Sequence, residues 1–254
     1  MDLNKKFLAI GDNAMPGNEL QECINDARFY GSVLAKSLDI NADYLLDKAS
    51  TKQNILSWIQ AAQKQAIDGK LTYCGIAISN HGTHQMVNGL LEGAICCYDM
   101  RPEGNNWWPG GLFTATEFQK LMNGFPIATR VEIWLDICYS FSLTKGLRTW
   151  NNKAIHNPDN PAGLMRVSDK SVVTKLNSNI VVWSACSEAQ ESADAPNLGN
   201  GAFTYYWKKA WQENPTASRV DLITSTRAKI AAGGFDQVPR LACWNVTGQM
   251  QVGV

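Results

Sequence analysis

The sequence predicts an α/β fold with a mostly parallel central sheet flanked by helices on both faces. Three observations carry the prediction. Apolar runs rich in β-branched and aromatic residues, above all Thr72 to Ser79 (TYCGIAIS) and Val131 to Ile137 (VEIWLDI), lead straight into polar or glycine-containing turns, as buried parallel strands do. Such runs alternate with amphipathic segments of helical length, the pattern of repeated β-α units. The 254 residues are 45% hydrophobic and 18% charged, enough apolar material for one large α/β domain or two closely packed lobes.

Taken in order, Lys6 to Gly11 (KFLAIG) reads as the first strand. Asn18 to Leu38 reads as a helix, because Leu20, Ile24, Ala27, Gly31, Leu34 and Leu38 recur at helical spacing. Tyr44 to Leu46 is a short second strand. Ser50 or Thr51 can cap the next helix, whose buried face should be Ile55, Trp58, Ile59, Ala62 and Ala66. The third strand then delivers Ser79-Asn80-His81-Gly82. Gln85 to Gly111, rich in Gly, Pro, Asn and Trp, reads as a long insertion or loop; Trp107 and Trp108 fit a flap packed on its own body, since indoles bury large areas. A helix near Thr114 to Met122 precedes the strand that delivers Cys138. After Ser142 a polar stretch has the composition of an exposed connector. A strand at Asn179 to Ser184, helices at Gly201 to Trp211 and Ser218 to Ala232, and a last strand near Val238 to Asn245 form a smaller second half. The expected organisation is a half carrying His81 and Cys138 (1–142), a connector (143–178) and a second half (179–254), together one domain.

Charge excludes some functions. The 23 basic and 23 acidic side chains balance, so there is no electrostatic footprint for nucleic acid or an anionic membrane. No stretch approaches the roughly 18 apolar residues of a spanning helix, and Met1 to Lys6 lacks the apolar run of a signal peptide. A soluble, cytoplasmic protein is expected. Its seven cysteines show neither paired C-x-x-C units nor a disulfide framework, so reduced thiols are the default.

Candidate chemistry sits at two strand ends. Open α/β sheets bind ligands at the carboxyl ends of their strands, which would bring His81 and Cys138 to one crevice although they lie far apart in the chain. A thiol with a pKa of about 8.5 is only slightly ionised at neutral pH, and an imidazole within reach supplies the proton acceptor it needs. Either residue alone is more often structural; the paired placement is what points to a cysteine protease.

Several motifs in order carry a family resemblance: FLAIGDNAMPG (7–17), LQECINDAR (20–28), ISNHGTHQ (78–85), EGAICCYD (92–99), LDICYS (135–140), VVWSACSEAQESAD (181–194) and NGAFTYYWKKAW (200–211). The chain resembles the metacaspases and their prokaryotic relatives, the orthocaspases, within the caspase-like cysteine peptidases. The animal caspase signature Q-A-C-[RQG]-G is absent. The resemblance implies a caspase-like fold with Cys138 as nucleophile, His81 as general acid/base, and the backbone N–H groups of Gly82 and Cys138 as an oxyanion hole, a device commonly worth about 2.7 to 4 kcal/mol per donor. It also implies a specificity pocket lined by Cys23, Asp26, Ser79 and Asp136. Two carboxylates at the base of one pocket would pair with a guanidinium or ammonium and repel an acidic side chain, so cleavage of protein or peptide substrates is expected after Arg or Lys.

Three departures from the family pattern stand out. Asn80 replaces the Gly that many members carry before the His, where a side chain costs backbone freedom if φ is positive, and Tyr139 replaces the His that follows the Cys. The acidic set of calcium-activated members is also thin: FTATEF occupies 113–118 and Lys145 falls near the later acidic position, leaving Asp99 and Glu117 too few for a cation that wants six to eight oxygens. Activity without calcium, and without any other metal or cofactor, is the expectation. His84 has no metal-spaced partner, and His156 in the connector is expected at the surface. Lys145, Arg148, Lys153, Arg166, Lys170 and Lys175 in the connector admit either self-cleavage or a merely solvated linker. A catalytically silent caspase-like scaffold is the competing function, because fold alone does not fix activity. The family pattern points to a monomer.

Overall fold

The computed structural model describes residues 4–87, 90–104, 106–138, 176–186, 190–243 and 249–253, with the side chains of 90 and 91 excepted. The elements run β1 (Lys5–Gly11), α1 (Cys23–Phe29), α2 (Ala35–Ser37), β2 (Ala42–Leu46), α3 (Lys52–Ile67), β3 (Tyr73–Ser79), β4 (Gly82–Val87), β5 (Leu90–Cys96), β6 (Pro102–Glu103), β7 (Asn106–Trp107), β8 (Leu112–Thr114), α4 (Ala115–Met122), β9 (Arg130–Asp136), β10 (Ile180–Ser184), α5 (Ala202–Glu213), α6 (Arg219–Ala232) and β11 (Arg240–Ala242). Six strands form the main sheet in the order β11-β10-β9-β3-β1-β2. Every pairing is parallel except that of the edge strand β11 with β10.

The two-residue period of a strand divides the core between the two faces. Phe7, Ala9, Tyr73, Ala77, Trp134 and Trp183 point towards α1, α5 and α6, where they meet Tyr30, Phe203, Trp207, Leu222 and Ile230. Leu8, Ile10, Ile76, Ile78, Ile133 and Leu135 point the other way, onto Ile55, Ile59 and Ala62 of α3 and Phe118 and Met122 of α4. On the aromatic face lies a buried ion pair. Arg219, at the start of α6, donates to both oxygens of Glu132 on β9 (2.8 and 2.9 Å), and both side chains are closed to solvent. Trp183 Nε1, Tyr73 Oη and Gly253 N donate to the same carboxylate, satisfying the acceptors that burial would otherwise strand.

Three expectations need correction. The helix read from Asn18 begins only at Cys23, because Asn18 to Glu22 form a loop whose Gln21 and Glu22 N–H groups are held by the Asp194 carboxylate (2.9 and 3.2 Å); a π-helical stretch, Tyr30–Leu34, then joins α1 to α2. The segment read as a loop from Gln85 contains β-structure: β4 and β5 pair as a hairpin, β8 adds a third strand, and β6 and β7 pair on their own. Its mixed composition hid strands that pair chiefly with each other. Thr51 caps α3, while Ser50 turns to Asp12 instead, and Trp58 is only half-buried, its indole N–H reaching Asp43. The tryptophan flap packs as expected. Trp107 is buried with its indole N–H on Thr83 Oγ1, and the Arg101 guanidinium lies 3.9 Å from the Trp108 ring centre.

Candidate active site

β3 and β9 end side by side, with Ser79 opposite Asp136. Asn80 N donates to the Asp136 carbonyl at 3.4 Å, so His81 and Cys138 each stand two residues beyond the last paired position. Gly82, next to His81, allows the two chains to touch. A Cβ there would lie 2.8 Å from the Cys138 carbonyl carbon and overlap its oxygen, so the approach needs a residue without a side chain. Asn80 keeps a negative φ, and the expected strain is therefore absent. Its side chain braces the turn: Oδ1 accepts from His81 N at 2.7 Å and Nδ2 donates to the Cys96 carbonyl at 2.7 Å.

His81 is buried, with Nε2 2.6 Å from the Asn18 carbonyl oxygen. A carbonyl can only accept, so the proton resides on Nε2 and Nδ1 is the basic nitrogen. Cys138 is fully buried as well. Its sulfur accepts the Ser192 N–H at 3.0 Å and lies 3.5 Å from the Ser192 carbonyl oxygen. In the vicinal Cys96 and Cys97, burial, aided by the negative charges of Asp12 and Asp99 respectively, pushes both thiols well above the ordinary range and keeps them unreactive.

Asp26 and Asp136 meet at the N-terminus of α5. Asp26 Oδ1 accepts from Gly201 N (2.9 Å) and Asn200 Nδ2 (3.0 Å), and its Oδ2 accepts from Ser79 Oγ (2.7 Å). Asp136 Oδ2 accepts from Thr204 N (3.1 Å) and Thr204 Oγ1 (2.7 Å), while Oδ1 accepts from Ser192 Oγ (2.6 Å). Both carboxylates are closed to solvent. The unpaired N–H groups and positive end of a twelve-residue helix are what allow two acids to be buried so close together. Cys23, also fully buried, lies one turn before Asp26 on α1, its carbonyl pressed against Gly11.

A further acid lies beneath. Asp12, just past β1 and fully buried, accepts from Ala14 N (3.0 Å) and Ser50 Oγ (3.3 Å). Burial raises its pKa to about 6, and the nearby charge of Asp47, which shares the Ala14 N–H, adds to the effect. All four sequence-predicted pocket residues thus lie at the end of the sheet that carries His81 and Cys138. Sequence reasoning missed Asn18, Asp12, Ser192, Asn200, Thr204 and Asp194. Ser192, Asp194, Asn200 and Thr204 fall inside the segments 181–194 and 200–211, the one signal that marked them. Tyr139 and the connector's basic residues lie outside the described residues.

The model of the caspase domain family matches residues 4–251. The chain belongs to the caspase domain family. No protein of curated function matches it by sequence. Among solved structures, the protein GSU0716 of Geobacter sulfurreducens superposes with a TM-score of 0.74 at 18% identity, with 98% of each chain covered. Caspase-1 of Spodoptera frugiperda superposes at 0.59 and 12% identity, over 95% of this chain and 87% of the insect one. These likenesses are of fold: the same mostly parallel sheet between helical layers. Family membership places this caspase domain among cysteine peptidases, whose substrates are proteins.

Proposed function

We propose that this caspase domain is an endopeptidase of the metacaspase or orthocaspase type that cleaves after Arg or Lys through Cys138 and His81. The observation that carries the proposal is the pair of buried carboxylates, Asp26 and Asp136, on the strand and helix ends that flank the two reacting residues. A guanidinium entering beside them meets two anions, whereas an acidic side chain is repelled. In this reading Nδ1 of His81 takes the Cys138 proton, and the sulfur attacks the scissile carbonyl. The N–H groups of Gly82 and Cys138 receive the oxyanion, and the imidazolium returns its proton to the leaving amine.

Calcium has no part in this reading. Lys52 supports that: its ammonium bonds Glu117 at 2.7 Å and the Pro109 carbonyl at 3.0 Å, its backbone N–H is on Asp99 at 3.1 Å, and it lies 5.0 Å from the Phe113 ring centre. Glu117 and Asp99 therefore already serve a lysine. Among the described residues no group of three His, Cys, Asp or Glu could hold a metal. Seven free cysteines fit a reducing, cytoplasmic setting. Self-cleavage within 143–178 belongs to the same proposal.

The test is hydrolysis of matched fluorogenic peptides ending in Arg, Lys, Asp or Asn, by wild type and Cys138→Ala, with calcium and with chelator. Cleavage after Arg or Lys that survives chelation and vanishes in the variant is expected. Cleavage after Asp or Asn, or dependence on calcium, would overturn the specificity or the metal independence respectively, and absence of all cleavage would favour a silent scaffold.

A further inference from the structure

Ser192 makes two contacts that no role considered so far requires. Its hydroxyl donates to Asp136 Oδ1 at 2.6 Å, and its backbone N–H reaches Cys138 Sγ at 3.0 Å. One fully buried residue thus touches both a pocket carboxylate and the sulfur expected to attack. We infer that Ser192 is a positioning residue: anchored on Asp136 through its hydroxyl, it aims its amide at Cys138 and holds the sulfur as a thiolate. The inference rests on the reading of Cys138 as the nucleophile.

The geometry decides between two opposite effects. A protonated sulfur would donate to the Ser192 carbonyl, 3.5 Å away, and favour the thiol; an ionised sulfur accepts the Ser192 N–H at 3.0 Å and favours the thiolate. The N–H contact is the shorter by half an ångström, and hydrogen bonds to an ionised partner are about twice as strong as neutral ones. The N–H contact is therefore the stronger of the two, and it opposes the burial that would otherwise keep the sulfur protonated. An amide has no freedom to seek the sulfur by itself, so its aim depends on what fixes the segment. Two groups do. The first is the Ser192 hydroxyl on Asp136. The second is the buried side chain of Gln237, whose Oε1 accepts from Ala193 N at 3.0 Å while its Nε2 donates to the Ala185 carbonyl at 3.0 Å. The Asp136 oxygen is itself held in place, since Thr204 engages its other oxygen twice.

The experiment is a titration of Cys138 by thiolate ultraviolet absorbance, each protein read against its own Cys138→Ala counterpart. It needs neither substrate nor access of a reagent to the buried sulfur. In Ser192→Ala the amide remains but its anchor is gone, and about tenfold less thiolate is expected at a given pH, with kcat on an Arg peptide falling in parallel and KM unchanged. Ser192→Thr, which keeps the hydroxyl, should titrate like wild type. Gln237→Met loosens the same amide from the other side and should move the titration in the same direction; it provides the reading if Ser192→Ala does not fold. A Cys138 titration that stays at its wild-type position in folded Ser192→Ala, or in folded Gln237→Met, overturns the inference, as does an equal displacement in Ser192→Ala and Ser192→Thr. Failure of the peptidase reading would appear separately, as absence of hydrolysis by wild type with the titration intact.

Discussion

Replacing Gly82 by Ala probes the site at the point where the two halves of its machinery touch. A methyl group there would lie 2.8 Å from the Cys138 carbonyl carbon. Non-bonded carbons settle at about 3.5–4.0 Å, so clearing the carbon alone parts the two backbones by roughly 0.7–1.2 Å, and the overlapped carbonyl oxygen demands more. The obstructing atoms are main chain and cannot swing aside as a side-chain end would. A misplacement of about 1 Å in a reacting constellation costs on the order of 10²-fold, and withdrawal of one oxyanion donor costs about 10²–10³-fold. Both losses arise from the same movement, so they do not multiply. The expected result is a fall of about 10²–10³-fold in kcat/KM on Arg and Lys peptides, carried by kcat. Stability should suffer less: overpacking costs about 1–3 kcal/mol, which for a chain of this size lowers the thermal midpoint by roughly 2–12 °C. Steady-state hydrolysis and a thermal melt on the same preparation provide both numbers. A Gly82→Ala enzyme within threefold of wild type, at an unchanged midpoint, would refute the reasoning, because the contact would then have no bearing on the reacting groups.

Two other perturbations test the frame around the site. Arg219→Met leaves Glu132 buried without its guanidinium, and breaking such a pair costs about 3–5 kcal/mol. Calorimetry should show the midpoint lower by roughly 6–20 °C, largely recovered when Glu132→Leu removes the stranded charge as well; a loss under about 1 kcal/mol would show that the pair contributes little. Asp12 provides a pH signature. Its folded pKa, raised from 3.8 to about 6, means that the folded state binds the proton more tightly. The charged form therefore costs stability above about pH 6, and that cost fades as pH falls through 6 and is gone below the unfolded value, a swing of up to about 3 kcal/mol. Asp12→Asn carries no charge at any pH, so its advantage over wild type in urea unfolding should shrink by most of that amount from about pH 8 to pH 4; a constant difference would reject burial of the charge as the cause.

Legibility followed the range of each interaction. β3 and β9 were readable because each is a near-continuous apolar run that stops at a polar turn, and the positions of His81 and Cys138 just past those stops followed from general sheet topology. Thr51 was readable as a helix cap, since a cap bonds within its own first turn. The loop at Asn18 to Glu22 was not, because leucine spacing says nothing of an aspartate 172 residues away that takes the N–H groups just ahead of the helix. The β4–β5 hairpin was hidden for a similar reason: its glycines, asparagines and tryptophans look like a loop until each strand meets its partner.

The sequence by itself determined the strands of the main sheet and most of the helices that cover it, which side chains carry reactive groups, and which charges balance. Those properties reside in side-chain type and short-range period. Tertiary structure alone decided the register that sets Ser79 against Asp136, the Asn18 carbonyl that assigns the His81 proton, and the convergence of Ser192 and Thr204 on one carboxylate. Each of these depends on backbone groups, which every residue carries, or on partners brought together across more than fifty residues. Only packing of the whole sheet against its helices chooses among them.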